Sequence, residues 1–253
     1  MKKAILLSFL IVLAVAPMAM GDQVSVGSSY GPYQTGSGGE FTLYPSVGLQ
    51  WVLSSYVDGV TKNVVVVGAG PNFQTFCMEA TGAEYIYKNT TYDVTISDRA
   101  IYGGMGQQGQ GDPISKGTAW LYYQFQIAGN FDGYATYDYT NPGRSNGSPN
   151  SADLLQKTIW YLEGEGSDPG AGNPFREAAR QEFGSLANAM LDNNGQYPVA
   201  ILNLWVPGHV GEWDYRIQDQ LVCTPAVPEP ATMLLLGSGL LGLAGFARKK
   251  FKK

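Results

Sequence analysis

Cys77, Cys223 and the single histidine, His209, are the strongest nucleophiles and metal ligands in this 253-residue chain. A thiolate can attack a carbonyl carbon, bind a metal or enter a disulfide. His209 has no cysteine or second histidine at ligand spacing, so no metal site is expected. Gly208 and Val210 flank it, which places it in a turn. The sequence holds no nucleophile elbow, phosphate loop or dinucleotide fingerprint. Carboxylate pairs such as Glu163 and Glu165 could do acid–base work on a sugar, but nothing in the pattern selects a pair. No catalytic residue and no cofactor is expected, and the chain is not expected to be an enzyme. In an oxidising compartment Cys77 and Cys223 could form one disulfide, tying down the last strand ahead of Pro225, or could stay as inert thiols.

The compartment is set by the two ends. Lys2 and Lys3 precede an apolar run from residue 4 to 16, and Ala19-Met20-Gly21 supplies small residues for signal peptidase. Residues 1–21 therefore predict a secretory signal peptide, cut before Asp22. At the other end Pro228-Glu229-Pro230 leads into an apolar, Gly-rich stretch over residues 231–247. That length just spans a bilayer as a helix, at about 1.5 Å per residue. Arg248, Lys249, Lys250, Lys252 and Lys253 follow, and by the positive-inside rule they hold the tail in the cytoplasm. This order of Pro-Glu-Pro, apolar helix and basic end resembles the PEP-CTERM family of sorting signals over residues 228–253. The resemblance implies a Gram-negative host and exosortase processing near Pro228-Glu229-Pro230. It also implies an inner-membrane intermediate, then release to the cell surface or an exopolysaccharide (biofilm) matrix.

Without both signals the body keeps 9 basic and 20 acidic residues, a net charge of −11 rather than the −5 of the whole chain. Such a body should avoid nucleic acid and anionic lipid. Its tyrosines, tryptophans and apolar fraction argue against disorder.

The elements that must position the chemistry follow from periodicity. Residues 22–46 read as a flexible leader. Residues 47–57 and 63–67 predict strands around an Asp58-Gly59 turn, and 73–79, 84–88 and 92–96 predict further strands. The aromatic segment 117–128 fits helix or strand. Residues 151–163 predict a helix, capped by Asn150 or Ser151, with Leu155, Ile159 and Leu162 on one stripe. Residues 175–191 predict a second helix, 198–206 a buried strand and 215–222 a last strand. The expected fold is mainly β, a sandwich or barrel-like core with two or three helices. The body would be one domain over residues 47–224, followed by the sorting tail at 225–253.

Two segments of that body resemble the thioester (TQXA) domain of bacterial surface adhesins. One is Phe76-Cys77-Met78-Glu79 on a strand. The other is Leu155-Gln156-Lys157-Thr158-Ile159-Trp160 on a helix. Gln156, Ile159 and Trp160 match the family's Gln-x-Ala-Ile-Trp pattern. Leu155 replaces its Thr and the bulkier Thr158 its Ala. The resemblance implies an internal thioester between Cys77 and Gln156, shielded from water by Phe76, Trp160, Trp120 and Tyr123. It also implies one-shot covalent attachment to an amine-bearing surface ligand.

Overall fold

The computed structural model describes residues 22–28, 38–49, 72–80, 85–102, 111–127, 131–138 and 150–224. The signal peptide, the predicted strand at 63–67, most of that at 47–57 and the whole sorting tail lie outside these residues. So do Pro228, Glu229, Pro230, Arg248, Lys249, Lys250, Lys252 and Lys253. Among the described residues no helix is long and apolar enough to cross a membrane.

The fold is mainly β, built on one six-stranded antiparallel sheet. Its strands are β1 (Gln23–Val26), β2 (Phe41–Pro45), β3 (Phe73–Thr75), β4 (Thr91–Ser97), β7 (Val199–Trp205) and β8 (Arg216–Cys223). They lie in the order β3-β2-β1-β4-β7-β8. Two short strands, β5 (Arg99–Ala100) and β6 (Asp112–Pro113), form a separate ladder. The sheet curls until its two edges meet. The Thr75 hydroxyl donates to the Leu221 carbonyl at 2.6 Å. Leu221 N–H donates to Phe76 O at 3.1 Å, and Met78 N–H to Asp219 O at 3.0 Å. Cys77 sits opposite Gln220 at this seam. Of the two expected architectures, the structure therefore takes the barrel-like one, with helices on its outside.

The leader reading of residues 22–46 is corrected. β1 lies between β2 and β4, Val24 and Leu43 are fully buried, and the sheet begins at Gln23 rather than 47. Alternation in Gln23-Val24-Ser25-Val26 carries this strand, a signal only four residues long. The predicted strand at 84–88 is also absent: residues 85–87 have no regular structure. Residues 47–49, assigned to a strand, begin a helical turn.

Both faces of β7 are covered, so all seven of its residues are buried. One face, with Ala200, Leu202 and Leu204, joins Val24, Val26, Leu43, Ile217 and Val222 inside the curled sheet. The other, with Val199 and Ile201, packs against the helices. Helix α1 (Lys116–Ile127) resolves the ambiguity at 117–128. Ser115 caps it by accepting from Thr118 N–H at 3.1 Å, which satisfies one of the amides orphaned at a helix start. Helix α2 (Ser151–Leu162) starts where the sequence places it, with Asn150 Oδ1 accepting from Asp153 N–H at 2.8 Å. Its stripe of Leu155, Ile159 and Leu162 is buried in the helical core. The single helix expected over 175–191 is two: α3 (Pro174–Glu182) and α4 (Leu186–Ala189). Gly184, at φ +73°, ends the first, and Ser185 caps the second. At least four helices thus stand where two or three were expected.

Candidate functional site

Closure of the sheet and packing of α2 bring Cys77 and Gln156 together, 79 positions apart in sequence. Cys77 N–H donates to Gln156 Oε1 at 3.1 Å, and Gln156 Nε2 donates back to Cys77 O at 2.8 Å. The amide of Gln156 thus pairs with the backbone of Cys77 as a second backbone would. A third bond, from Gly39 N–H to Gln156 Oε1 at 3.2 Å, puts two backbone donors on one carbonyl oxygen. Two donors on that oxygen draw electron density from Cδ and form a cradle for an oxyanion. Cys77 is 0% exposed and Gln156 1%, so these bonds operate with water excluded.

The reasons are local. Gln156 lies beside the apolar stripe of α2, one residue from Leu155, so it is carried into the core on the helix's buried side. Its amide is satisfied on both atoms, which offsets the cost of burying it. Thr158 is fully buried too, and its hydroxyl donates to Leu154 O at 2.9 Å. Its extra bulk over alanine does not keep the helix off Cys77. Ile159 is core. Phe76 is fully buried against Phe125 and Tyr137, edge to face at 5.1 and 6.4 Å between ring centroids. Trp160 lies against the Gly38 backbone. Trp120 and Tyr123, expected to shield the same site, pack elsewhere. Trp120 meets Phe131, Tyr134 and Phe183, while Tyr123 meets Tyr197.

Gly38 and Gly39 were hidden by the leader reading. A Cβ on Gly38 would stand 2.5 Å from Trp160 Cη2 and 2.9 Å from Gln156 Cγ. Gly39 has φ +97°, a region that side chains strain to reach. The Gly-Gly pair was the available signal of a close backbone approach. Gly38→Ala is expected to lower stability by about 1–3 kcal/mol through overpacking, read as a drop in melting temperature.

Burial pushes the Cys77 thiol up to about 12; the contact from Gln220 opposes the rise and the charges of Glu79 and Asp219 add to it. Cys77 is therefore a protonated thiol at neutral pH. Glu79 accepts from Tyr102 N–H at 3.0 Å and Asp219 N–H at 2.8 Å. Asp219 accepts from Ile101 N–H at 2.6 Å and Asn203 Nδ2 at 3.0 Å. Burial raises the pKa of both carboxyls, and the neighbouring Asp219 charge raises Glu79 further.

The disulfide alternative finds no support in the structure. Cys77 and Cys223 are both free and buried. Cys77 faces Gln220, and Cys223 lies three residues further along β8, about 10 Å at strand rise. A disulfide needs Cα atoms within about 7 Å. His209 sits in a surface turn, stacked on Tyr215 at 3.8 Å between ring centroids and 3.1 Å from Glu212. Glu163 and Glu165 serve structure separately: Glu163 accepts from Ser115 and Glu165 from Ala80 N–H.

Geometry thus defines a class: a nearly closed antiparallel barrel with a buried cysteine–glutamine pair at its seam. Residues 226–249 match the PEP-CTERM protein-sorting motif. The match implies export and exosortase-dependent sorting to the cell surface, with exosortase as the processing partner. No curated protein and no solved structure matches the chain.

Proposed function

We propose that this surface protein attaches covalently to amines through an internal thioester between Cys77 and Gln156. The reading is carried by the reciprocal hydrogen bonds between Cys77 and Gln156, on a glutamine oxygen that also receives Gly39 N–H. The Cys77 sulfur attacks Cδ of Gln156 while the two backbone N–H groups hold the developing oxyanion. The thiol proton leaves with the amide nitrogen as ammonia, and an acyl thioester remains. Held together by packing, the two groups react as one molecule rather than two. A surface amine later attacks the same carbon in the same cradle. A new amide bond forms on Gln156, and Cys77 returns to a thiol. Each molecule acts once, so the chain is not an enzyme, and it needs neither cofactor nor metal.

The rest of the proposal concerns delivery. Signal peptidase removes residues 1–21, and residues 231–247 hold the chain in the inner membrane by a single span. Exosortase then passes the body to the surface or to an exopolysaccharide matrix of a Gram-negative cell. Adhesion within a biofilm is the role such chemistry serves.

The test is the intact mass of the non-reduced mature chain, with and without methylamine. A thioester lowers the mass by about 17 Da, and methylamine then adds about 31 Da. A chain at full mass with no adduct refutes the thioester.

A further inference from the structure

The tip of the β7–β8 hairpin carries an ordered set of aromatic rings that the fold does not bury. His209 lies flat on Tyr215, with 3.8 Å between ring centroids and 15° between planes. Trp213 has the Arg216 guanidinium over its face at 4.1 Å and the Tyr102 ring edge-on at 5.6 Å. His209, Trp213, Tyr215 and Tyr102 belong to neither of the two hydrophobic cores described above. Tyr215 keeps 40% of its surface exposed although His209 covers one face of its ring. The tip is nonetheless fixed by its backbone. His209 N–H donates to Val206 O at 3.0 Å, Glu212 N–H to His209 O at 3.1 Å and Tyr215 N–H to Glu212 O at 2.9 Å. Rings held rigid at the surface, outside any core, form a pre-organised contact surface. Two exposed carboxylates, Glu212 and Asp214, alternate with these rings along the chain. Tyr102 N–H donates to Glu79 at 3.0 Å, so this face continues into the segment that carries Cys77.

We propose that this hairpin tip binds an amine-bearing polysaccharide, a polymer of hexosamine units. The C–H groups on one face of a pyranose ring are weakly positive and pack on the negative face of an aromatic ring, here the uncovered face of Tyr215. A free amine on the sugar is an ammonium ion, which both the aromatic faces and the Glu212 and Asp214 carboxylates attract. The mature body, with 9 basic and 20 acidic residues, draws the same polycation from a distance and repels acidic polysaccharides. A protein partner would need an interface of roughly 1,200–2,000 Å² in total. A hairpin tip is narrower and fits a single strand of sugar rings. This binding is reversible and stands without the thioester reading. Where a thioester is present, docking brings amines to the face that leads to Cys77.

The experiment measures calorimetric binding of glucosamine hexamer and N-acetylglucosamine hexamer to the mature secreted chain carrying Cys77→Ala, in which covalent capture cannot occur. The glucosamine hexamer is expected to bind about tenfold more tightly than its acetylated counterpart and to weaken with added salt. Tyr215→Ala should weaken its binding roughly tenfold. The double variant Glu212→Gln, Asp214→Asn should weaken it about three- to tenfold, with a shallower salt dependence. Melting temperatures report whether the variants fold. If Tyr215→Ala does not, the double variant, which keeps every ring, decides alone. No binding, equal binding of the two hexamers, or unchanged affinity in both variants would overturn the proposal. So would tighter binding of a hexalysine peptide than of the glucosamine hexamer. None of these outcomes bears on the methylamine mass test, so the two readings fail separately.

Discussion

Replacing Gln156 by alanine is expected to abolish methylamine capture completely and return the mature chain to its full mass. The variant has no acyl carbon for Cys77 to attack, so the loss is total rather than graded. Cys77→Ala should give the same two results by removing the nucleophile. Two identical losses from opposite sides of one bond would assign the mass deficit to this pair rather than to deamidation or dehydration elsewhere. The structural cost differs between them. Gln156→Ala strips the partners from Cys77 N–H, Cys77 O and Gly39 N–H at once. Unsatisfied buried groups cost about 1–3 kcal/mol each, so this variant should also melt at a lower temperature. Cys77→Ala keeps the backbone bonds, because it is the backbone of Cys77 that holds Gln156. It loses the cross-link but strands no buried polar group, so it should fold and melt below the cross-linked native chain while capturing nothing. A Gln156→Ala chain that still adds methylamine would sink the assignment.

Acidification is expected to stabilise the fold between neutral and mildly acid pH, with Glu163 as one separable source. Its carboxyl is fully buried at the end of α2, where Ser115 Oγ donates to it at 2.7 Å and Ser115 N–H at 3.3 Å. Burial raises its pKa to about 7, hydrogen bonding opposes the shift, and Asp112 adds to it. The folded state therefore holds a proton that the unfolded chain loses near the ordinary glutamate value of about 4.3. Between those values the native state binds more protons, so stability falls as pH rises through the window and then levels off. The whole shift corresponds to roughly 3 kcal/mol, and about 2–3 kcal/mol of it should separate pH 5 from pH 8. Glu79 and Asp219 are raised in the same direction and add to the slope. Urea unfolding at the two pH values measures the difference. Glu163→Gln can still accept both Ser115 bonds and should be more stable than wild type at pH 8 but not at pH 5. An equal effect at both values would show that ionisation of Glu163 is not the cause.

Several parts of the molecule were legible in the chain because local rules decide them. α2 was placed almost to the residue, since an Asn cap and a three-residue apolar stripe act within one element. β4, β7 and β8 follow from alternation or apolar runs long enough to see. The sorting tail is a linear signal, so the order of its parts suffices to find it. Gln156 and Cys77 stood out only through their neighbours in sequence. Their contact depends on a helix and the segment just past β3 at the sheet seam, whose distance no periodicity encodes.

Tertiary structure decided the remainder. The role of residues 22–46 was invisible because β1 owes its place to partners on both sides, not to its own four residues. Gly39 contributes a backbone N–H, which any residue type carries, so only the fold could show which one meets Gln156. Gln220 reads as an ordinary polar position on the last strand until closure of the sheet sets it opposite Cys77. The same closure sets the register that keeps Cys223 away from Cys77. By itself the sequence determined sorting to the surface and the elements whose signal is local, α2, β4, β7 and β8, all written in short-range patterns. The seam that joins Cys77, Gln156, Gly39 and Gln220 is a long-range product of strand pairing, and only the folded chain contains it.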